Sequence, residues 1–387
     1  MKKIIAIAPL LFLTACAVQS KPLEKVAKGC ATPYRADINY FPDQVQPTYA
    51  QGFSVEYHRD YKVVKINRPW RDAKQSFRYL LVQCGAPTPQ GFEDAQKIVV
   101  PVPTVAVMST THLPLIDKLG LVDRLVAVSK LDQVNTKAVA AKITKNQVQE
   151  IGSNGSANLE RILALRPALV TTYGVGDPKQ DIYPQLKTAR IPTVLIGEYM
   201  ENSPLGRAEW LKFMALFFNQ EKIANQEFDA MEKKYQAIAN LTKNASAKPQ
   251  VLSGMEHKGT WYVPGGDSFA ARFVADAGGS YLWADDRSTG SLNLSSEQIL
   301  KRASQAQIWL NGAQQKRKSA NSIYEKFPAF RNQNVYSPTA KINAAGGNDF
   351  WESGTANPDL VLADLVKIFH PQVLPNHQFV YYQRSQS

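Results

Sequence analysis

The 387-residue chain is poor in the residues that build disulfide frameworks and metal sites. It has three cysteines, Cys16, Cys30 and Cys84, and five histidines, His58, His112, His257, His370 and His377. So few cysteines over this length exclude a small disulfide-stapled fold. No two histidines stand four apart and no H-E-x-x-H occurs, so a zinc-hydrolase reading has no ligands to use. Nucleotide and hydrolase motifs are also missing. "GSNGSA" (152–157) lacks the third glycine and the following acidic residue of a dinucleotide fingerprint, and there is no G-K-[ST] loop or G-x-S-x-G elbow. No acid–base pair emerges from spacing. The chain is therefore expected to be no enzyme and to carry no cofactor or resident metal. Long apolar runs are absent, apart from "IIAIAPLLFL" (4–13), which is too short to cross a bilayer. The formal charge is +12, but the basic residues are scattered except in "QQKRKS" (314–319), which reads as a solvated loop. Without a basic stripe interleaved with aromatics, no nucleic-acid partner is expected.

What is present begins at the N-terminus. "MKK" is a positive n-region, "IIAIAPLLFL" an h-region, and "LTAC" (Leu13 to Cys16) ends it with small residues before a cysteine. The pattern resembles a bacterial lipobox. That resemblance implies cleavage before Cys16, lipid on its thiol and a membrane anchor for a body outside the cytoplasm. The alternative is an ordinary secretory signal with an incidental cysteine. Ala17 in place of an Asp hints at the outer membrane, and the choice of membrane stays open. Cys30 and Cys84 then remain as an even pair in an oxidising compartment, which reads as a disulfide or as two buried thiols.

Residues 1–15 are thus a signal peptide, and the Pro-, Gln- and Lys-rich stretch 16–50 reads as a tether. Across 51–97, "FSVEYHRDYKVVKI" and "FRYLLVQCG" predict a small β-rich extension. From 98 to 198, short apolar strands alternate with helices, which predicts a mostly parallel α/β lobe. A helical region follows over 199–248. Ile223, Phe228, Met231, Tyr235 and Ile238 stand at helical spacing there and predict a helix over 220–242, long enough to connect two lobes. Its alternative is a surface helix of the first lobe. A second α/β lobe covers 249–387. The expected fold is α/β, with two Rossmann-like lobes joined by a long helix.

One element occurs once per lobe. "NLERILALR" places Glu160 two residues after a cap-like Asn158, and "SSEQILKRAS" places Glu297 two residues after Ser295. A carboxylate in the first helical turn is stabilised by the helix dipole, by about 0.3–1 kcal/mol, which is a sufficient structural reason for either one alone. As a pair they would stand at matched positions and could register a symmetric partner that offers arginines.

These features, with "VMSTTHLPLIDKLGLVDRLVAVS", "GEYMENSPLGRAEWLKFMALFFNQE", "WYVPGGDSFAARFVADAGGSYLW" and "DFWESGTANPDLVLADLVKIFHPQ", resemble class III periplasmic binding proteins in order and spacing. These are the substrate-binding lipoproteins of ABC importers for iron–siderophores, cobalamin and haem. The resemblance implies that Glu160 and Glu297 dock on the permease dimer. It also implies that the chain works as a monomer, that the lobes move little and that a small-molecule metal chelate is the cargo. A ferric siderophore is the first expectation, then cobalamin or haem. A bare Zn or Mn ion is a further alternative, with His112 and His257 meeting across the cleft.

In open α/β lobes ligands lie beyond the carboxyl ends of the strands. The loops expected there carry Thr110, His112, Lys130, Asn154 and Tyr173 in the first lobe, and Trp261, Tyr262, Arg287, Asn311 and Trp351 in the second. Arg207 lies between the lobes. Arg207, Tyr173 and Trp261 head this set, with the arginine expected to meet ligand oxygens and the aromatics to stack on a flat chelate. Each aromatic has ordinary packing as its alternative, and His112 has helix capping or a core hydrogen bond.

Overall fold

The computed structural model describes residues 30–245, 247–311 and 323–385. Cys16, with the signal and the first part of the tether, lies outside them, as does "QQKRKS". Cys30 and Cys84 are joined by a disulfide, with Cα atoms 4.6 Å apart.

The extension is a four-stranded sheet. Its strands β1 (Phe53–Tyr57), β2 (Tyr61–Ile66), β3 (Phe77–Gln83) and β4 (Gln96–Val100) pair in chain order. β1, β2 and β3 run antiparallel, and β4 joins β3 in parallel. Sequence reading assigned "KIVVPVPTVAVMS" to the opening of the first lobe. Instead the run divides at Pro101 and Pro103, and its first half completes the extension's sheet. The stretch read as tether also ends early. Phe41, Val45 and Ala50 are buried in the core of the first lobe. Glu209 there accepts from the backbone N–H of Thr48, Tyr49 and Ala50, and Glu201 accepts from Gln51 and Gly52. Low hydrophobicity concealed this docking because two carboxylates of a distant segment, Glu201 and Glu209, satisfy the backbone. Below them, Lys62 is fully buried against Glu221 at 2.6 Å. Burial pulls the lysine down and the glutamate up, and their pairing opposes both shifts.

The first lobe holds β5 (Val105–Val107), β6 (Leu125–Val128), β7 (Gln149–Glu150), β8 (Leu169–Thr172) and β9 (Thr193–Leu195). They form one parallel sheet in the order β7-β6-β5-β8-β9. Strand order reverses between β5 and β8, the topological switch point at which α/β sheets open a crevice.

The second lobe holds β10 (Gln250–Ser253), β11 (Met255–His257), β12 (Thr260–Pro264), β13 (Ser280–Tyr281), β14 (Ser291–Leu294), β15 (Ile308–Leu310), β16 (Val335–Ser337) and β17 (Gln383–Arg384). Its main sheet runs β13-β10-β15-β16-β17, parallel except for the β17 edge, with the switch point between β10 and β15. β11, β12 and β14 form a separate antiparallel sheet.

The helix Glu221–Thr242 crosses between the two cores. At 22 residues it is about 33 Å long. Ala224 belongs to the first lobe's core, and Phe228, Met231 and Tyr235 to the second's. A further tie lies at Glu352 in the second lobe, whose carboxylate accepts from the backbone N–H of Asn135 and Thr136 in the first, at 2.8 and 2.7 Å. Among the described residues no helix is long and apolar enough to cross a membrane.

Candidate functional site

A cavity of about 780 Å³ opens at the switch point of the second lobe. Its floor is the carboxyl end of three parallel strands: Ser253 and Gly254 after β10, Leu310 and Asn311 after β15, and Ser337 and Pro338 after β16. One wall is aromatic and apolar, with Met255, Tyr262, Phe269, Phe273, Phe350 and Trp351. The first lobe supplies only the crossing segment Tyr199–Asn202 and Arg207, and the extension supplies Arg71.

Arg207 sits on the short helix Pro204–Ala208, which Ser203 caps. Its guanidinium carbon stands 3.5 Å from the centre of the Phe269 ring, and Nη2 donates to the Tyr199 carbonyl at 2.6 Å. Burial lowers its pKa to about 10, against the pull of Glu198 and Glu201, so it is a cation at neutral pH. Stacked, half-buried and only partly hydrogen-bonded, it offers donors to an anionic ligand at the cavity wall. Asn311 adds an acceptor. Its Nδ2 donates to Ser253 Oγ at 3.1 Å, while its buried Oδ1 has no partner among the described residues.

Of the ligand candidates named from sequence, Arg207, Tyr262 and Trp351 line this cavity, together with Asn311. Trp261 faces away from it. Neighbouring strand residues point to opposite faces, so on β12 Tyr262 takes the cavity side and Trp261 the core. Trp261 is fully buried against Trp309, Tyr324 and Phe327. Arg287 is exposed and pairs with Asp267 at 3.6 Å, away from the cavity. Asn154 is buried as a clasp between loops of the first lobe, accepting from the Ile182 N–H and donating to Asp181. His112 is buried against Thr171 at 3.0 Å, its Nε2 has no partner among the described residues, and burial alone lowers its pKa to about 3. It therefore does not meet the exposed His257, and no group of three or more metal-ligating side chains occurs among the described residues. Thr110, Lys130 and Tyr173 follow strands of the first lobe but do not line the cavity.

The cause lies in the extension. The loop between β2 and β3 lays Trp70 over the loop that follows β8. A Cβ at Gly174 or Gly176 would come within 2.6 Å of the Trp70 ring. The Tyr199 hydroxyl donates to the Gly174 carbonyl and, at 3.3 Å, to the Pro69 carbonyl, which locks loop to lobe. The first lobe's switch point is therefore covered. Sequence reading missed Arg71, Phe269 and Phe350. "RPWR" between two strands was the available signal for Arg71, whereas Phe269 reads as ordinary helix.

Glu160 and Glu297 are both exposed second residues of capped helices, Leu159–Leu165 and Ser296–Ala303. The Asn158 side chain accepts from the Arg161 N–H, and Ser295 with Gln298 forms a full capping box. The two helix entries therefore present their carboxylates to solvent in the same local setting.

Comparison with known proteins agrees with this architecture. An uncharacterised lipoprotein of Methanocaldococcus jannaschii is 28% identical over 286 residues, which cover 70% of this chain and 66% of that relative. A solved structure described as a possible iron-binding, periplasmic solute-binding protein from Staphylococcus epidermidis superposes with a TM-score of 0.54 at 17% identity, covering 70% of this chain and 99% of that one. The siderophore-binding protein BauB, solved with ferric iron and two acinetobactin molecules, gives 0.51 at 19%, covering 70% and 93%. At these identities the solved structures speak to the fold alone. Residues 105–341, more than half of the chain, match the family model described as periplasmic binding protein, and the chain accordingly belongs to that family of solute-binding, non-enzymatic proteins.

Proposed function

We propose that this chain is a lipid-anchored periplasmic protein that captures a ferric siderophore-type chelate in the second-lobe cavity and delivers it to an ABC importer. In this reading Cys16 carries the anchor, and Glu160 and Glu297 register the chain on the two subunits of the permease. The observation that carries the reading is the cavity itself. At about 780 Å³ it has room for a metal chelate, its wall is aromatic, and its half-buried cation Arg207 retains unused donors. A flat or chelated anion needs those two components together, an apolar face to stack on and fixed cationic donors for its oxygens. The full chain's formal charge of +12 falls by two, to +10, once Lys2 and Lys3 leave with the signal peptide, and this still favours the approach of such an anion.

The test is a tryptophan-fluorescence titration of the soluble body, starting after Cys16. The panel is ferric citrate, ferric hydroxamate and ferric catecholate complexes, cobalamin, haem, Zn and Mn. Saturable binding of a ferric chelate is expected. Arg207→Ala should weaken an anionic one by ~1.5–3 kcal/mol, the scale of a hydrogen bond to a charged group. Binding of cobalamin or haem alone would replace the cargo, and unchanged affinity in Arg207→Ala would remove that residue from the site.

A further inference from the structure

The loop 67–76 lies outside the family match, which begins at residue 105. Its two central residues face different lobes. Trp70 is seated on Gly174 and Gly176 of the first lobe and packs against Phe77 and Tyr183, with ring centres 5.8 and 5.9 Å away. Arg71, the next residue, reaches Gly290 of the second lobe, where a Cβ would stand 2.3 Å from its guanidinium nitrogens. It lines the same cavity as Arg207. Arg71 has no hydrogen bond or ion pair among the described residues, although Asp267 lies in the loop after β12, and Asp285 and Asp286 in the loop between β13 and β14 that also holds Gly290. Those acids are engaged elsewhere: Asp285 with Arg302, Asp286 with Ser288 and the Gly266 N–H, and Asp267 with Arg287. A guanidinium held at a cavity wall without a protein acceptor is placed to meet an acceptor that arrives with the ligand.

We infer that the N-terminal extension is a third wall of the binding site, that Arg71 is a ligand-recognition residue selecting anionic chelates, and that Trp70 is the positioning residue that holds it there. The inference rests on the cavity being the chelate site proposed above. Arg71 and Arg207 line one chamber from the extension and the crossing segment, so an anion between them meets two cations against the aromatic face of the second lobe.

The experiment compares the parent with Arg71→Ala and Arg71→Lys. Each is titrated with ferric citrate, an anionic ferric tris-catecholate and a neutral ferric hydroxamate, at low and high salt. Thermal unfolding serves as the fold control and should not move, because Arg71 is exposed and makes no hydrogen bond. Arg71→Ala should lose about ten- to a hundredfold in affinity for the anionic complex and little for the neutral one, and Arg71→Lys should recover part of the loss. If the parent binds an anionic complex and Arg71→Ala binds it equally well, this inference fails and the proposed function stands. If the parent binds only the neutral complex and the variant does the same, anion selection by Arg71 fails. If the parent binds none of the three, the proposed cargo fails and takes this inference with it.

Discussion

The two lobes begin from the same plan and end differently at their strand tips. Each has a parallel sheet with one reversal of strand order, between β5 and β8 in the first and between β10 and β15 in the second. By the rule for open α/β sheets both should offer a crevice. In the second lobe that crevice is the cavity. In the first it is filled by Trp70, delivered by a loop that precedes the lobe in sequence. A switch point is therefore an opportunity that another part of the chain can occupy, and the extension shifts the site toward the second lobe.

What the lobes retain in common is the capped, exposed glutamate, and the largest effect is expected there. Under the proposed function, Glu160→Ala with Glu297→Ala should reduce uptake of the cognate chelate by at least about a hundredfold, from the loss of two charge-assisted contacts. Affinity for the free chelate should stay unchanged, since neither residue lines the cavity. Uptake assays in cells beside titration of the purified protein separate the two quantities. A fall in binding with normal uptake would reverse the assignment.

The difference between the lobes can be broken at Trp70. Trp70→Ala should uncover the crevice of the first lobe and cost about 2 kcal/mol, less than a fully buried tryptophan would, because this ring is only half-buried. Denaturant unfolding gives the stability, and hydrogen exchange at residues 173–177 reports the uncovering. Unchanged exchange there would mean that Trp70 does not close the crevice.

Most of the two-lobe plan was legible in the sequence because short apolar strands and periodic helices are local patterns. The helix Leu113–Lys118 announced itself with Pro114, and the helices that carry Glu160 and Glu297 with their caps Asn158 and Ser295. Illegible parts depend on partners far along the chain. Residues 41–50 read as tether because the backbone of 48–50 is held by Glu209, about 160 positions away. Trp261 heads the ring-stacking candidates in the sequence, ahead of Tyr262, whereas in β12 it is Tyr262 that takes the cavity side and Trp261 that is buried in the core. Tyr173 sits where the strand rule puts a ligand residue, and only the position of Trp70 shows why the cavity lies elsewhere.

A histidine sharpens the contrast next. His112 is buried in the first lobe, whereas His257 is exposed at the cavity of the second. With its folded-state pKa lowered to about 3, His112 stays neutral while the unfolded chain takes up a proton below about 6.5. Its contribution is fully present above pH 6.5 and is lost as pH falls toward 3, on the order of 2 kcal/mol by pH 5. Urea midpoints at pH 7 and pH 5 should therefore separate less in His112→Gln than in the parent. Equal separation would assign the acid sensitivity to other groups.

The smallest effect is also the most direct comparison of the two strand-tip regions. Trp351, in the second lobe, is 54% exposed and stands edge-on to Phe350 with ring centres 4.8 Å apart, so its face is free to stack on a ligand. Tyr173, in the first lobe, follows β8 directly and lies outside the cavity lining. If the ligand lies against the second lobe, Trp351→Ala should weaken the chelate by about 1 kcal/mol, the scale of one aromatic contact, and Tyr173→Ala should leave affinity as it was. Because the tryptophan is largely solvated in the free protein, its removal should cost little stability, and the titration reads contact with ligand rather than damage to the fold. The opposite pattern, loss with Tyr173→Ala and none with Trp351→Ala, would place the ligand over the first lobe. Trp70 would then have to move aside on binding, and its loop would be a gate rather than a wall.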